Sequence, residues 1–219
     1  MIPIDIHTHH VPSIAGTAVL NIGPLEAALP FAGLYSVGIH PWRIAPGWEA
    51  QLEDVARLSV CPQVVALGEC GLDKVCLKGM ASVAERESAF SLQVRVFEAH
   101  IRLSECCEKP LIVHCVKACN ELVVLRRRHK PRQAWVVHGF RGNRQVASML
   151  LAEGFHLSFG EHYQSEALRS VPAERLFVET DESRLPIGSV IEKVACDRSV
   201  PFAALVSQIQ TNYQNTFLL

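Results

Sequence analysis

The chain has 219 residues, of which 49% are hydrophobic, and its 21 basic residues nearly balance its 22 acidic ones. This composition excludes an intrinsically disordered chain, a collagen and a coiled coil, and the length predicts one domain over residues 1–219. The near-zero net charge argues against a broad basic surface that holds long duplex nucleic acid, whereas a small or local anionic substrate is compatible with it.

Neither a signal peptide nor a membrane span is predicted. Met1–Asp5 has no basic start, and no apolar run approaches 18 residues. None of the eight cysteines belongs to a CxxC pair, so we expect reduced, mostly buried thiols in a cytoplasmic protein. We also expect no obligate protein partner. A zinc site on Cys115 and Cys119 is a minor alternative, because the usual ligand spacing is missing.

Eight short apolar segments are predicted to be β-strands. Most are apolar throughout, which is typical of parallel strands that are buried on both faces. They span residues 2–6, 18–22, 35–39, 64–67, 111–113, 134–137, 156–159 and 176–178.

Helical patterns lie between the later strands. Ser82 and Glu85 have the spacing of a capping box, and apolar residues at helical spacing follow them. Asn143 is a predicted N-cap of a second helix, which Gly154 ends. A last helical region covers about 190–213, and Pro201 is expected to break it.

The alternation of strands and helices predicts a compact (β/α)8 TIM-type barrel. Residues 10–34 contain one weak strand and several Pro and Gly residues. The first two βα units are therefore expected to be abbreviated and to lack full helices.

Metal-ligating side chains follow directly on five of the predicted strands. The carboxyl ends of the strands form the active-site face of such a barrel. Taken singly, each histidine is more often a hydrogen-bonded core or surface residue, and each carboxylate a helix cap. Together they predict a metal site, and the two histidines of the first strand end, two residues apart, face the same way. The six residues are His7, His9, Glu69, His114, His138 and Asp181.

The motifs along the chain resemble those of the TatD family of metal-dependent deoxyribonucleases, a branch of the amidohydrolase superfamily. The matching stretches occur in the family's order and span nearly the whole chain. They are DIHTH at 5–9, GIHP at 38–41, GECGLD at 68–73, residues 93–97, KPLIVH at 109–114, HGFRG at 138–142, LSFG at 157–160 and ETD at 179–181, with Asn212 and Phe217 in the closing helix.

The resemblance implies a centre of two divalent ions, zinc, manganese or magnesium. By similarity, His7, His9, Glu69 and Asp181 hold one ion, and the second ion is held by Glu69, His114 and His138. Glu69 is the implied bridge, since one carboxylate can span two cations. Asp181 is also the implied catalytic group that orients a water molecule or accepts its proton.

The expected substrate contacts are His40 at the mouth of the site and the cations Lys117 and Arg141. Arg43, Lys74 and Arg184 are further cations that could face phosphate oxygens, with a solvated loop position as the alternative for each. The basic run 126–130 is instead predicted to be a solvated helix end on the opposite face.

The chain departs from the family pattern in three places. Val116 replaces a common arginine, Ser183 replaces a common proline, and the front end is shorter by several dozen residues. These departures concern the substrate more than the metal ligands, because the lysine beside Val116 does not supply a bidentate fork.

Three functions remain open at this point. The leading one is a metal-dependent phosphodiesterase that acts on single-stranded DNA or DNA ends. The second keeps the metal centre and cleaves a carboxylic ester, amide or aminoacyl bond. The third is a non-catalytic metal-binding or partner-recruiting protein.

Overall fold

The computed structural model describes residues 4–25, 29 and 32–218 and contains eight parallel strands in one sheet. The strands are β1 Asp5–Thr8, β2 Ala18–Ile22, β3 Leu34–Val37, β4 Val64–Asp73, β5 Leu111–Val116, β6 Trp135–Val137, β7 His156–Phe159 and β8 Leu176–Val178. The helices are α1 Trp48–Ser59, α2 Val83–Cys107, α3 Cys119–His129, α4 Arg144–Ala152, α5 Ser165–Ser170, α6 Ile187–Arg198 and α7 Phe202–Phe217.

The strands follow one another around the sheet in chain order, β1 to β8. The two edge strands meet through a parallel bridge between Thr8 and Asp181, where the backbone of Asp181 exchanges hydrogen bonds of 3.0 and 3.1 Å with His7 and His9. The predicted (β/α)8 barrel is thus confirmed. In the described residues no helix lies between β1 and β2 or between β2 and β3, so the predicted abbreviation of these units is confirmed as well.

The predicted helix ends are confirmed where the sequence carries capping residues. Ser82 and Glu85 form a complete capping box at the start of α2. The Asn143 side chain accepts from the third residue of α4, and Gly154 follows that helix with a φ of 79°. Pro201 separates α6 from α7.

Strand β4 is longer than predicted, and its extra length positions the site. The sequence prediction ended it at residue 67, whereas the strand continues to Asp73 and is buried throughout. A side chain on Gly71 would overlap with the backbone carbonyl of His114, so only glycine allows β5 to approach this closely. The predicted first strand is also shifted, to Asp5–Thr8; residues 2 and 3 lie outside the described residues.

One sequence prediction about exposure is wrong, and a second fails for one residue. Of the eight free cysteines only Cys70 is buried, and three are exposed, because most thiols lie in helices and loops rather than in strands. In the predicted solvated helix end at 126–130, Arg127, Arg128 and Lys130 are exposed, but Arg126 is not: its guanidinium lies over the rings of Trp135 and Phe155, at 5.3 and 5.0 Å, and donates to the carbonyl of Glu153.

Helix α2 is the longest in the described part of the chain, and no helix there combines the length and apolarity needed to cross a membrane.

Candidate metal centre

The six predicted ligands converge at the carboxyl ends of the strands. His7 lies in β1 and His9 just beyond it, while His114 lies in β5. Glu69 occupies an irregularity in the β4–β5 register, between Leu67 and Cys70, where an extra residue re-aims the side chain. The two remaining residues, His138 and Asp181, follow β6 and β8.

The two carboxylate oxygens of Glu69 face two different groups of histidines. Its Oε1 lies 2.6 Å from Nδ1 of His114 and 2.8 Å from Nε2 of His138. Its Oε2 lies 3.4 Å from Nε2 of both His7 and His9. This carboxylate therefore connects two sets of donor atoms.

On the Oε2 side, the nitrogen–oxygen distances are those expected between ligands of one tetrahedral ion. Nε2 of His7 and Nε2 of His9 are each 3.6 Å from Oδ1 of Asp181 and 3.4 Å from Oε2 of Glu69. Ligand atoms bound at 2.0–2.2 Å in a tetrahedron lie about 3.4 Å from one another. Four nitrogen and oxygen donors at these distances fit a divalent ion.

His7 has the environment of a ligand and not of a packed core histidine. It is completely buried, and neither ring nitrogen has a hydrogen-bond partner in the described part of the chain. Burial lowers the pKa of His7, but its contacts with Asp181 and Glu69 outweigh this and raise it to about 9. A buried nitrogen aimed at two carboxylates is where a cation is best accommodated.

His114 is held in the orientation of a ligand by an acid behind it. Its Nε2 lies 3.1 Å from Oδ2 of Asp73. With a proton on Nε2 shared with Asp73, the Nδ1 atom is left as an electron-pair donor toward Glu69. Burial raises the pKa of Asp73, but hydrogen bonds from Trp42 and His114 outweigh this and lower it.

His138 is arranged in a similar way. Its Nδ1 lies 3.4 Å from Oε1 of Glu179, which accepts from the backbone N–H of Gly139 at 2.6 Å. Burial lowers the pKa of His138, but Glu69 and Glu179 raise it well above its usual value. The pKa of Glu69 is held far below its usual range, since these histidines outweigh the opposing effect of burial.

His40 was expected at the mouth of the site. It lines the cavity, and its ring also reaches Glu69. Its Nε2 is 3.1 Å from Oε1 of Glu69, and its Nδ1 accepts from the backbone N–H of Trp42 at 3.1 Å. Burial lowers the pKa of His40, and the neutral ring must then carry its proton on Nε2. His40 is therefore a hydrogen-bond donor pointing at the centre.

Three overlapping groups of described residues could hold an ion, and all three consist of histidines and carboxylates. They are His7 with His138 and Asp181, His7 with His9 and Glu69, and His40 with Glu69 and His114. Cysteine belongs to none of these groups, although Sγ of Cys115 and Sγ of Cys119 lie 3.6 Å apart.

A cavity of about 270 Å³ opens over the centre. Its described lining consists of His9, Asn21, Ile22, Gly23, Gly38, His40, Trp42, Arg43, Glu69, His114, His138, Asp181 and Glu182. Of the proposed phosphate contacts, Arg43 lines this cavity. The predicted contacts Lys117 and Arg141 are exposed and lie outside the lining, and Lys74 pairs with Glu121.

Sequence reasoning missed three residues that organise the site. Asp73 orients His114, Trp42 donates to Asp73 at 2.7 Å, and Oδ1 of Asn21 accepts from the backbone N–H of Glu69 at 2.7 Å. Asp73 could have been predicted from the GECGLD motif. Residues 69 and 73 lie on one strand, and both contact His114 on the neighbouring strand.

Relatives in sequence are metal-dependent hydrolases and exonucleases by name. The chain is 34% identical over 160 residues to the uncharacterized metal-dependent hydrolase YcfH of Escherichia coli, covering 69% of this chain and 56% of that protein. It is 32% identical over 156 residues to the 3'-5' ssDNA/RNA exonuclease TatD of Rahnella sp., covering 67% and 56%. The match to the TatD exonuclease of Edwardsiella piscicida is 30% identical and covers 86% and 74%. The chain thus spans little more than half the length of the first two relatives.

Solved structures share the fold. YJJV, a TatD homolog from Escherichia coli, superposes with a TM-score of 0.80 at 18% identity, with all of both chains covered. A TatD family hydrolase from Entamoeba histolytica superposes with a TM-score of 0.69 at 17% identity, covering 91% of this chain and 84% of that one.

The family model described as TatD related DNase matches residues 16–218. This match begins after the His7–His9 pair, so the place of these two histidines in the centre rests on their distances to Glu69 and Asp181. Together, the matched residues and the relatives above show that the chain belongs to the TatD family.

Proposed function

We propose that this chain is a two-metal phosphodiesterase that hydrolyses single-stranded DNA or the ends of DNA strands. The observation that carries the proposal is the division of Glu69, whose Oε1 faces His114 and His138 while its Oε2 faces His7 and His9. A carboxylate that faces two donor sets is placed where it could bridge two ions a few ångströms apart.

In this proposal Glu69, His7, His9 and Asp181 would hold one ion. Glu69, His114 and His138 would hold the second. The donors are nitrogen and oxygen atoms without thiolate, which suits zinc, manganese or magnesium. Such ions supply a water of lowered pKa and neutralise charge that develops on a phosphoryl group.

The protein's own groups have separate tasks. Asp181 keeps a lowered pKa despite its partial burial, so its carboxylate is ionised and able to orient a water molecule or accept its proton. The Nε2–H of His40 donates toward the centre, where a phosphate oxygen would accept it. Arg43, on the cavity wall, offers a permanent charge to the next phosphate. Lys117 and Arg141 stay predicted contacts for the more distant part of the strand.

The substrate class is supported by the relatives and by the shape of the site. Two of the relatives are named ssDNA/RNA exonucleases. The cavity of about 270 Å³ is at the small end of ligand pockets and suits a strand end better than a duplex. The net charge of the chain is -1, so the protein surface attracts an anionic strand only weakly. Most of the attraction would therefore come from the bound ions.

Metal analysis combined with a substrate panel tests the proposal. The purified protein should carry about two divalent ions per chain, and chelation should abolish cleavage of single-stranded DNA. The panel contains single strands labelled at either end, a blunt duplex, single-stranded RNA and a carboxylic ester. Turnover of the ester without cleavage of any phosphodiester would overturn the proposal and favour an ester-bond hydrolase.

The two ions can be separated by substitution. Replacing His114 and His138 together by Asn should remove one ion and leave the other in place. Loss of all bound metal in this double variant would contradict two separate sites. Phe202→Ala is the control, because Phe202 is exposed at the start of α7 and lies outside the cavity. This variant should keep both ions. The cytoplasmic location expected from the sequence stays a prediction.

A further inference from the structure

We propose that Trp42 is a stacking platform for the nucleobase next to the scissile phosphate, so that the substrate is a strand end that carries a base. This inference rests on the proposed function and names a substrate requirement of the same site. It begins from an exposed aromatic ring: 66% of Trp42 is accessible to solvent, although it lines the cavity over the metal centre.

Trp42 lies within reach of the reacting groups. It belongs to a short 3₁₀ turn, Pro41–Arg43, that directly follows His40. Its ring is 5.1 Å from the ring of His40 and 6.3 Å from the ring of His114, measured between centroids. A base resting on this indole would therefore have its phosphate beside the donors that face Glu69.

The indole is fixed before any ligand arrives. Its Nε1 donates to Oδ2 of Asp73 at 2.7 Å, and Asp73 is only 1% exposed. The backbone N–H of Trp42 donates to Nδ1 of His40 at 3.1 Å. A side chain held in this way loses little further rotamer freedom when a ligand binds, so that stacking contributes more fully to affinity.

Packing does not account for this position. The ring keeps most of its surface in water, while its polar edge is held by a buried carboxylate. Single exposed apolar residues are common on protein surfaces, but this one stands on the wall of the catalytic cavity with a fixed orientation. An exposed, oriented ring beside a phosphate-binding centre matches the stacking platforms of proteins that bind single strands.

The neighbouring residue completes the recognition of a nucleotide. Arg43 lines the same cavity and is the one lysine or arginine in its described lining. Aromatic stacking with an adjacent cation binds base and phosphate without reading the sequence. Because a stacked base is recognised through its π-face, the platform accepts DNA and RNA alike and disfavours an abasic end.

A double-mutant cycle between Trp42 and the base tests the proposal. Cleavage is measured as kcat/KM on single strands that carry either a normal nucleotide or an abasic residue at the cleaved end. Trp42→Ala should lower kcat/KM on the normal strand about 5- to 150-fold, the range expected for one stacked base. Removing the base should lower the wild-type value by a similar factor, and the two changes combined should cost little more than either alone.

Two further variants keep the result interpretable. Trp42→Phe retains a ring but loses the indole N–H, so it should keep most of the preference for a base. Phe202→Ala, an exposed aromatic position outside the cavity, should behave as wild type in the whole cycle. Metal content is measured for each variant. A Trp42→Phe variant that loses metal and activity as fully as Trp42→Ala would show that the residue only supports Asp73, and this would overturn the proposal.

The cycle also separates this inference from the function on which it rests. If the wild-type protein with metal cleaves no phosphodiester, the proposed function fails and the platform fails with it. If it cleaves single strands but the effects of Trp42→Ala and of base removal multiply independently, the platform alone is overturned.

Discussion

Asp73 accepts a hydrogen bond from Nε2 of His114 at 3.1 Å while the opposite nitrogen of that ring faces Glu69 at 2.6 Å. The two contacts fix both the tautomer and the orientation of His114. An acid behind a histidine ligand also raises the basicity of the ring. The same Oδ2 atom accepts from Trp42, so one buried carboxylate connects the proposed base platform with the metal centre.

We therefore expect Asp73→Asn to weaken one of the two metal sites about 10- to 100-fold. The amide cannot stabilise the imidazole with a full negative charge, and it has to serve two donors. Titration against a chromophoric chelator measures the affinity. Asp54→Asn is the matched control, since Asp54 is partly exposed and pairs with Arg57 on α1. Equal metal affinity in the two variants would contradict the role of Asp73.

Metal binding should release protons and weaken in acid. The raised pKa values of His7, about 9, and of His138 mean that both rings hold a proton at pH 7 when no ion competes. A ligand must lose its proton to bind, so the apparent affinity should fall as the pH is lowered below about 9. Calorimetry in two buffers of different ionisation enthalpy measures the protons released. A heat of binding that is the same in both buffers would contradict this expectation.

The convergence of the six candidate ligands was predictable from the sequence because two rules act on the same residues. Each ligand follows or ends an apolar run, and parallel strands in a barrel bring their carboxyl ends together. His138 and Asp181, for example, come directly after the short buried strands β6 and β8. The sequence alone thus indicates the fold class and the region of the centre.

The supporting residues were not predictable in this way. Trp42, Asp73 and His114 are separated by 31 and 41 positions, and their hydrogen bonds depend on distances that no local pattern encodes. The end of β4 was misjudged for a related reason. Gly68 and Gly71 suggest a turn in isolation, whereas in the barrel they allow close contact with β5.

Stability should fall in acid because of a buried histidine outside the centre. Nε2 of His100 accepts from the backbone N–H of Ile39 at 3.1 Å, and Nδ1 lies 2.9 Å from the carbonyl of Val96. Burial lowers the pKa of His100 to about 4, against about 6.5 in an unfolded chain. Below pH 6.5 the unfolded chain therefore binds a proton that the folded chain refuses. This group alone should lower the free energy of unfolding by about 1.4 kcal/mol per pH unit down to about pH 4.

Urea unfolding of His100→Gln and wild type at pH 7, 6 and 5, both with chelator, measures this contribution. At pH 7 the variant should be less stable by about 1–3 kcal/mol, because a buried hydrogen bond to Ile39 is lost. The difference in the free energy of unfolding should shrink as the pH falls. Only the wild type is destabilised in acid, because its buried imidazole stays neutral while the unfolded chain takes up a proton. A difference that stays constant from pH 7 to 5 would contradict the assigned pKa direction.

Gly71→Ala should damage both the fold and the metal centre. Gly71 has a φ of 144°, and a Cβ there would overlap with the carbonyl oxygen of His114. Backbone strain and overpacking together should lower the free energy of unfolding by about 2–6 kcal/mol. Since the displaced backbone carries the candidate ligand His114, the amount of bound metal should also fall.

Gly188→Ala is the matched control: Gly188 lies in α6 with no atom within 4 Å of a built Cβ, and alanine there should stabilise the protein by about 0.5–1 kcal/mol. Urea unfolding and metal analysis of both variants test the contrast, and a Gly71→Ala protein with wild-type stability and metal content would show that β4 and β5 need not approach so closely.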